Sequence, residues 1–451
     1  MKKKIKTNKI MRTSNEFVLK KAHDFDVKFI RLWFTDILGI LKSFAITVEE
    51  LEKALDEGIG FDGSSISGFA HIEESDMIAK PDPSTFQLLP WRPKESAVAR
   101  MFCDILLPDS SYYQGDPRYV LKNTLKKASA KGYRFYVGPE LEHFYFKSQS
   151  EVEPIDRGGF LDLTPLDTGS DLRRETVLML EQMGINVAYS HHENAPSQHE
   201  IGFRYGNAFT IADDVMTYRL VVKEIALKHN IYATFMPKPI AGVNGSGMHI
   251  HMSIFKDDKN LFFDKKDRNN LSNIGKSFLA GILKNAKELV LVTNQWVNSY
   301  KRLVSGYEAP THVCWARKNR STLIRVPAIS LNKPDSCRIE TRGPDPACNP
   351  YLVFSLLLYS GLEGIEKNYA LPEPIEENIH QLTPSQIIKL GIEPLPTSLY
   401  EAIEIFKNSK LARKVLGEHI FNELIEIKTR EWNDFNSQVT QYELEKYLPI
   451  L

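Results

Sequence analysis

The chain has only four cysteines in 451 residues, Cys103, Cys314, Cys337 and Cys348, and none forms a CxxC pair. This leaves no disulfide framework to build on, so the thiols read as reduced and the compartment as cytoplasmic. No apolar run approaches the ~20 residues that a membrane-spanning helix needs. The N-terminal stretch MKKKIKTNKIMRTSNE is basic but lacks the apolar segment of a secretory signal. It reads as a solvated extension, with Met11 as an alternative start to Met1. There is no excess of either charge: Lys+Arg and Asp+Glu both number 57. That balance argues against a general nucleic-acid binder and is compatible with self-association. Internal repeats and low-complexity linkers are also missing.

What is present is a set of short strand-like runs with polar residues at every second position. In Lys238–Ser253, KPIAGVNGSGMHIHMS, a Gly/Ser turn feeds a strand. Period-two alternation places His249, His251 and Ser253 on one face. Alone, the stretch reads equally well as a hairpin turn with two partly buried histidines. The pattern repeats, however. YVGPELEHFYF sets Glu140 and Glu142 two apart. His192-Glu193 is followed by HEIGFRY with Glu200, and CRIETR puts Arg338, Glu340 and Arg342 on one face. Clustered carboxylates resist burial unless cations neutralise them. Five Glu with a His suit hard divalent ions, Mg²⁺ or Mn²⁺. Converging Arg residues imply an anionic substrate, with phosphate foremost. Together they point to metal-assisted phosphoryl chemistry.

The coarse pattern predicts a helix over Ser14–Asp26, with Thr13-x-x-Glu16 as its capping box. A strand at Lys28–Phe34 follows, with a partner at Gly39–Ile46, then a helix over Thr47–Glu57 capped by Thr47. A Gly/Ser loop covers Phe61–Phe69, and a strand covers Val98–Leu106. This is a small α+β domain. Asp116-Pro117 opens a helix through Ala130. Further helices are expected at Asp171–Met183, Ile211–His229, Leu271–Thr293 and Tyr351–Glu366. A helical tail is expected over Tyr400–Leu416 and Gly417–Glu431. The division is 1–27 as extension and first helix, 28–110 as the small domain and 111–451 as the catalytic domain.

From about Lys28 to the C-terminus the chain resembles glutamine synthetase, type I. The motifs are DGSS at 62–65, GPELE at 138–142, HHE at 191–193, NGSGMHIHMS at 244–253, NSYKRLVSGYEAP at 298–310, NRSTLIRVP at 319–327 and RIETRGPDP at 338–346. The resemblance implies an α+β protein: an N-terminal β-grasp domain and a catalytic domain whose open, antiparallel, barrel-like sheet is flanked by helices. It implies ATP-dependent ligation of ammonia to glutamate through γ-glutamyl phosphate. It implies a cytoplasmic homo-oligomer, a dodecamer of two hexameric rings with sites between subunits. No nucleic acid or membrane partner is implied.

By the same resemblance, Glu142, Glu193 and Glu200 hold one metal, and Glu140, His249 and Glu340 hold a second that bridges ATP phosphates. Arg302 meets the main-chain carboxylate of glutamate, and Arg342 its side-chain end. Asn244 and Gly245 position that substrate. Arg320 and Arg325 contact the transferred phosphates. Tyr205, His251, Ser253 and Arg338 line the nucleotide. Glu308 sits in the lid SGYEAP, and Asp62 helps bind and deprotonate ammonium at a neighbouring subunit's site.

The chain departs from the family pattern in places. Phe160 stands where the family commonly has a Tyr of the ammonium pocket. Ala188 replaces a Glu near the nucleotide, and the longer stretch Leu331–Cys337 prevents carrying a role to Lys333. His71 replaces an Arg tied to feedback. His380 falls where the adenylylated forms carry their Tyr, and Tyr369 is about eleven residues too early, so the chain groups with the non-adenylylated, alpha-type forms. Phe160 leaves open a glutamate–amine ligase using a larger amine. A non-catalytic structural or regulatory oligomer should have lost metal ligands, and all six are present. A two-metal phosphohydrolase leaves Glu308 and Arg302 without a purpose.

Overall fold

The computed structural model describes residues 14–66, 68, 75–329 and 332–451. Met1, Met11, Thr13 and His71 therefore lie outside the described residues. The statements below concern the described ones.

The first helix, α1 (Asn15–Asp24), is capped by Ser14, whose hydroxyl accepts from Phe17 N at 3.2 Å. The small domain is a sheet of β1 (Val27–Thr35), β2 (Leu41–Thr47), β3 (Ile59–Asp62), β4 (Asp76–Pro81), β5 (Gln87–Leu88) and β6 (Ala97–Leu106). Its order is β2-β1-β6-β4-β3, with β5 alongside β6. β1 runs parallel to β6 and antiparallel to β2, which makes the β-grasp arrangement. The β1–β2 turn is held by Asp36, whose Oδ1 accepts from Leu38 N and Ile40 N at 3.0 and 2.9 Å. Helix α2 (Leu51–Glu57) starts later than Thr47 implied. Val48–Glu50 forms a tighter 3-10 turn, and the Thr47 side chain makes no capping bond. Val18 and Ala22 of α1 pack into this domain's core with Ile30, Leu32, Leu51 and Met101.

The larger domain opens with α3 (Pro117–Ala130), capped by Asp116 at Arg118 N and with Pro117 in its first turn. Its sheet is built on β7 (Arg134–Phe146), β8 (Val187–His192), β9 (Gln198–Phe203), β10 (Gly206–Asn207), β11 (Tyr232–Thr234), β12 (Met248–Lys256), β13 (Lys259–Asn260), β15 (Trp315–Ala316), β16 (Ile324–Arg325) and β17 (Ile339–Thr341). The order is β15-β16-β17-β12-β7-β9-β8, antiparallel except for β15 with β16. A separate short pair joins β14 (His312–Val313) to β18 (Glu393–Pro394). Helices α4 (Ser170–Gln182), α5 (Ala208–Lys228), α6 (Asn273–Thr293), α7 (Ser299–Arg302) and α8 (Pro350–Glu366) flank the sheet. The tail continues through α9 (Pro384–Lys389), α10 (Leu399–Lys407), α11 (Lys410–Asn436) and α12 (Gln441–Tyr447). The expected break at Gly417 is a kink inside α11, with φ of 80° there. A further break, before α11, comes from Ser409, which caps the new helix at Ala412 N. All four cysteines are free and buried.

One guanidinium staples the two domains. Arg118, 2% exposed, pairs with Asp213 through two bonds of 3.1 and 3.0 Å. It also reaches Asp104 on β6 at 2.5 Å and Asp82 after β4 at 2.8 Å. Breaking a buried ion pair by deleting one partner costs about 3–5 kcal/mol, because the other charges stay buried. Arg118→Met is therefore expected to lose about that much stability in a denaturant titration. A midpoint equal to wild type would show that water or a neighbouring cation satisfies the three carboxylates.

Candidate active site

Strand register builds the site. β7 lies between β12 and β9, so Glu140 stands opposite His249 and Glu142 opposite Glu200. β8 adds His191 opposite Glu200. On the other side of β12, β17 sets Glu340 opposite His251, and β16 sets Arg325 opposite Glu340. Directly opposed side chains sit about 4.5–5.5 Å apart at Cβ, so opposed acids repel. This sheet spends one cross-strand position on such a pair, Glu142 against Glu200.

The turn before β12 closes over that row. A Cβ at Gly245 would lie 2.4 Å from Pro237 O, and one at Gly247 would lie 2.6 Å from Arg302 Nη2. At Gly245, where the obstacle is a backbone carbonyl, a side chain would force the turn to shift. Arg302 in turn donates to the carbonyls of Gly343 and Arg342 at 2.7 and 2.9 Å. The result is a cavity of about 230 Å³. It is lined by the acids Glu140, Glu142, Glu193, Glu200 and Glu340 with His249, and by the cations Arg302, Arg320, Arg325 and Arg342. Asn244, Gly245, Tyr307, Glu308 and Phe160 also line it.

Charge in the cavity is unevenly settled. Burial, aided by the Glu193 charge, pushes Glu142 up to about 8. Burial also raises Glu200 well above the usual range, with Glu140, Glu142 and Glu193 adding to it. Burial would raise Glu140 too, but hydrogen bonds from His249 and His251 outweigh it and keep it low. Glu340, 0% exposed, is bonded to Arg342 at 2.5 Å and Arg325 at 2.6 Å. Its burial is overcome by Arg342, His251, His249 and Arg325, which bring it down to about 2. Burial and mutual repulsion thus favour the protonated forms of Glu142 and Glu200, and a hard divalent ion at this position would favour their ionised forms instead.

Ligand atoms of Glu140, His249 and Glu340 lie within 4.8 Å of one another, as do those of Glu142, Glu200 and His249, and those of His191, Glu193 and Glu200. The first trio is the expected one. The other expected trio, Glu142, Glu193 and Glu200, falls across two of these groups. Here Glu193 is bonded to His191 Nε2 at 2.8 Å and Asn194 N at 3.1 Å.

Residues 114–447 match the family described as glutamine synthetase, catalytic domain, and residues 26–108 match glutamine synthetase, beta-Grasp domain. The chain belongs to the glutamine synthetase family. It is 51% identical over 446 residues to glutamine synthetase of Mycolicibacterium smegmatis, spanning 98% of this chain and 100% of that one. It is 50% identical over 443 residues to that of Methanosarcina mazei, spanning 97% and 98%. Among solved structures it resembles a GmaS/ADP complex, with TM-score 0.87, 28% identity and coverage of 96% and 99%. It also resembles Plasmodium falciparum glutamine synthetase, with TM-score 0.86, 26% identity and coverage of 96% and 98%. Membership brings ATP-dependent formation of glutamine from glutamate and ammonia.

Other glutamine synthetase motif residues lie beside the cavity or away from it. His251 bonds Glu140 at 2.7 Å, and Arg338 Nε bonds His251 Nδ1 at 3.1 Å, which extends the polar row along β12. Ser253 is buried opposite Tyr136. Tyr205 is 64% exposed, edge-on to Tyr136 at 6.1 Å. Asp62 ends β3 and its carboxylate accepts from Ser64 N and Oγ at 2.8 and 2.7 Å within its own turn. It does not line the cavity. Ala188 lies exposed on edge strand β8, and Lys333 precedes a short 3-10 turn.

Several residues were not singled out from sequence. Tyr189 and His191 line the cavity, as does Gln198, which donates to Glu142 at 2.7 Å. Tyr189, His191 and Glu193 follow the same period-two alternation, so that signal was available. Behind them, His192 pairs with Asp156 at 3.0 Å and Arg173 with Asp167 at 2.6 Å. The charges of this buried group balance internally, and it backs the β8–β9 hairpin that carries Glu193 and Glu200.

Proposed function

We propose that the cavity joins ammonia to the side chain of L-glutamate at the expense of ATP, with the residues in the following roles. The carrying observation is one cavity lined by five clustered carboxylates, His249 and four guanidiniums. Glu140, His249 and Glu340 would hold one Mg²⁺ or Mn²⁺, and Glu142, Glu193 and Glu200 another. Bound ions supply neutralisation of the triphosphate and draw charge from the transferred phosphoryl group.

The protein's own groups do the rest. Arg302, Asn244 and Gly245 seat the amino-acid end of glutamate. Arg342 steadies its side-chain carboxylate, which attacks the γ-phosphorus as ADP leaves. Arg320 and Arg325 stabilise the equatorial oxygens, where planar guanidiniums suit two-point contact. Ammonium loses a proton to the acid pair Glu308 and Asp62, the latter from a neighbouring copy. Ammonia then attacks the acyl carbon and phosphate departs. Glu308 also closes the loop that keeps water from the acyl phosphate. Tyr205, His251, Ser253 and Arg338 lie along the ribbon toward the nucleotide. Nucleotide binding is supported by the ADP named with the GmaS structure.

The reading extends to a cytoplasmic ligase of glutamine biosynthesis, assembled as a dodecamer of two hexameric rings, with residues 28–110 and 111–451 as its domains. Two separate sheets support that division.

Amine choice is the sharpest test. Phe160 is 46% exposed, lines the cavity and meets His191 edge-on at 5.4 Å. It offers no oxygen to a cation. A hydrogen bond to a charged group is worth about 1.5–3 kcal/mol, or roughly ten- to a hundredfold in affinity. Phe160→Tyr is expected to lower the ammonium KM by about that factor. The assay is an amine panel with ATP, glutamate and Mg²⁺ or Mn²⁺, scoring phosphate release and product mass. An alkylamine outcompeting ammonium would replace this reading with the amine ligase.

A further inference from the structure

The two catalytic loops, carrying Glu308 and Arg320, touch a common segment that plays no part in the reading above, on which this inference rests. Residues 375–381 form an irregular segment that ends in a 3-10 turn, Ile379–Gln381. Their apolar side is anchored: Ile375 and Ile379 are buried with Cys314 and Ile392. Ile375 N donates to Trp315 O at 2.8 Å.

The polar side grips both loops. Glu376 accepts from Arg317 N at 2.8 Å and Lys318 N at 3.0 Å, and Asn319 Nδ2 donates to Glu377 O at 2.6 Å. Two of these bonds hold the backbone N–H groups of Arg317 and Lys318, and the third holds the Asn319 side chain, immediately before Arg320. One residue past the buried Ile379, His380 Nδ1 meets Ser305 Oγ at 2.6 Å. Ser305 begins the turn Ser305-Gly306-Tyr307-Glu308. In that turn Gly306 has φ of 96° and Glu308 has φ of 56°. A left-handed conformation at a non-glycine residue costs free energy and persists only where the surroundings hold it.

We propose that residues 375–381 form a strap that holds the two catalytic loops in register, with His380 the positioning residue for Glu308 and Glu376 that for Arg320. The strap lets the phosphoryl-transfer loop and the water-excluding loop move as one body. Neither His380 nor Glu376 lines the cavity, so both act through the loops they hold.

The readout is the ratio of phosphate released to glutamine formed. A loosened Glu308 loop admits water to γ-glutamyl phosphate, and hydrolysis there returns glutamate and phosphate with ATP consumed. His380→Phe keeps the ring and removes the nitrogen. Ser305→Ala removes the other partner without touching the strap's anchor, so it reports even if the histidine variant folds poorly. Each is expected to raise the ratio about two- to tenfold, the worth of one hydrogen bond, with the ATP KM unchanged. The double variant should do no more than either alone, because they remove the same bond. His380→Asn, whose amide can occupy the Nδ1 position, should restore the ratio. Glu376→Ala should instead slow ATP cleavage while the ratio stays near wild type. A ratio of wild-type value in both His380→Phe and Ser305→Ala would overturn the strap. A wild-type protein that makes no glutamine would instead overturn the reading beneath it.

Discussion

Glu340→Ala is expected to abolish ATP-dependent turnover and to remove much of the protection that Mg²⁺ or Mn²⁺ gives against heat. Glu340 is fully buried, and its two oxygens are taken by Arg342 and Arg325. It also shares its site with Glu140 and His249, all three ligand atoms within 4.8 Å. Alanine therefore does two things. It leaves a metal trio with two members, and it leaves two guanidiniums facing each other with no anion between them. The second effect alone costs about 3–5 kcal/mol, the price of stripping one partner from a buried ion pair. Glu340→Gln separates the two. It keeps the volume and an oxygen for one arginine, so it should lose turnover as fully and stability less. Calorimetry with and without Mn²⁺, alongside phosphate release, makes the comparison. Wild-type turnover with full metal protection in Glu340→Ala would falsify its place in the metal core.

How far the site could be read in advance follows from what is local. Glu140 and Glu142, or His249 and His251, are two apart on single strands, so alternation alone puts each pair on one face. Asp116-Pro117 carries its capping chemistry within a few residues, and that helix start is where it was expected. The opposition of Glu142 to Glu200 is different. It is set by the register of β7 against β9, strands separated by a long excursion, and no neighbouring residue encodes it. Strand β4 (Asp76–Pro81) was missed for a related reason. It is short and closes on a proline, and its strand character comes from pairing with β3 and β6. Thr47 failed as a cap because the chain enters α2 through a 3-10 turn, which moves the first α-helical residue to Leu51. Glu376 had no local signal, and His380 drew notice only as the position where adenylylated forms carry their Tyr. They lie in an irregular stretch about which periodicity is silent, and their partners are Arg317, Lys318 and Ser305.

Asp62 poses the remaining problem, since the proposed function gives it a part in the reaction and it does not line its own chain's cavity. It is exposed at the end of β3, and its hydrogen bonds from Ser64 hold its carboxyl below the usual range, so it is an anion ready to meet a cation. The cavity, for its part, lies beside β8, the edge of its sheet, where Ala188, Tyr189 and Ser190 are exposed. An open sheet edge is a template for pairing with another chain. In a closed ring of identical subunits, a head-to-tail contact would place the small domain of one copy at that edge of the next. Each working site would then draw Asp62 from one subunit and Glu340 from another. Asp62→Ala and Glu340→Ala proteins should each be inactive alone. Dissociated, mixed in equal amounts and reassembled, they should recover activity, because random mixing pairs an intact Asp62 with an intact Glu340 at about one site in four. Native mass spectrometry establishes that both chains share an oligomer, and glutamine formation gives the recovery. Mixed oligomers with no recovered activity would mean that Asp62 serves its own chain, through a movement of the small domain.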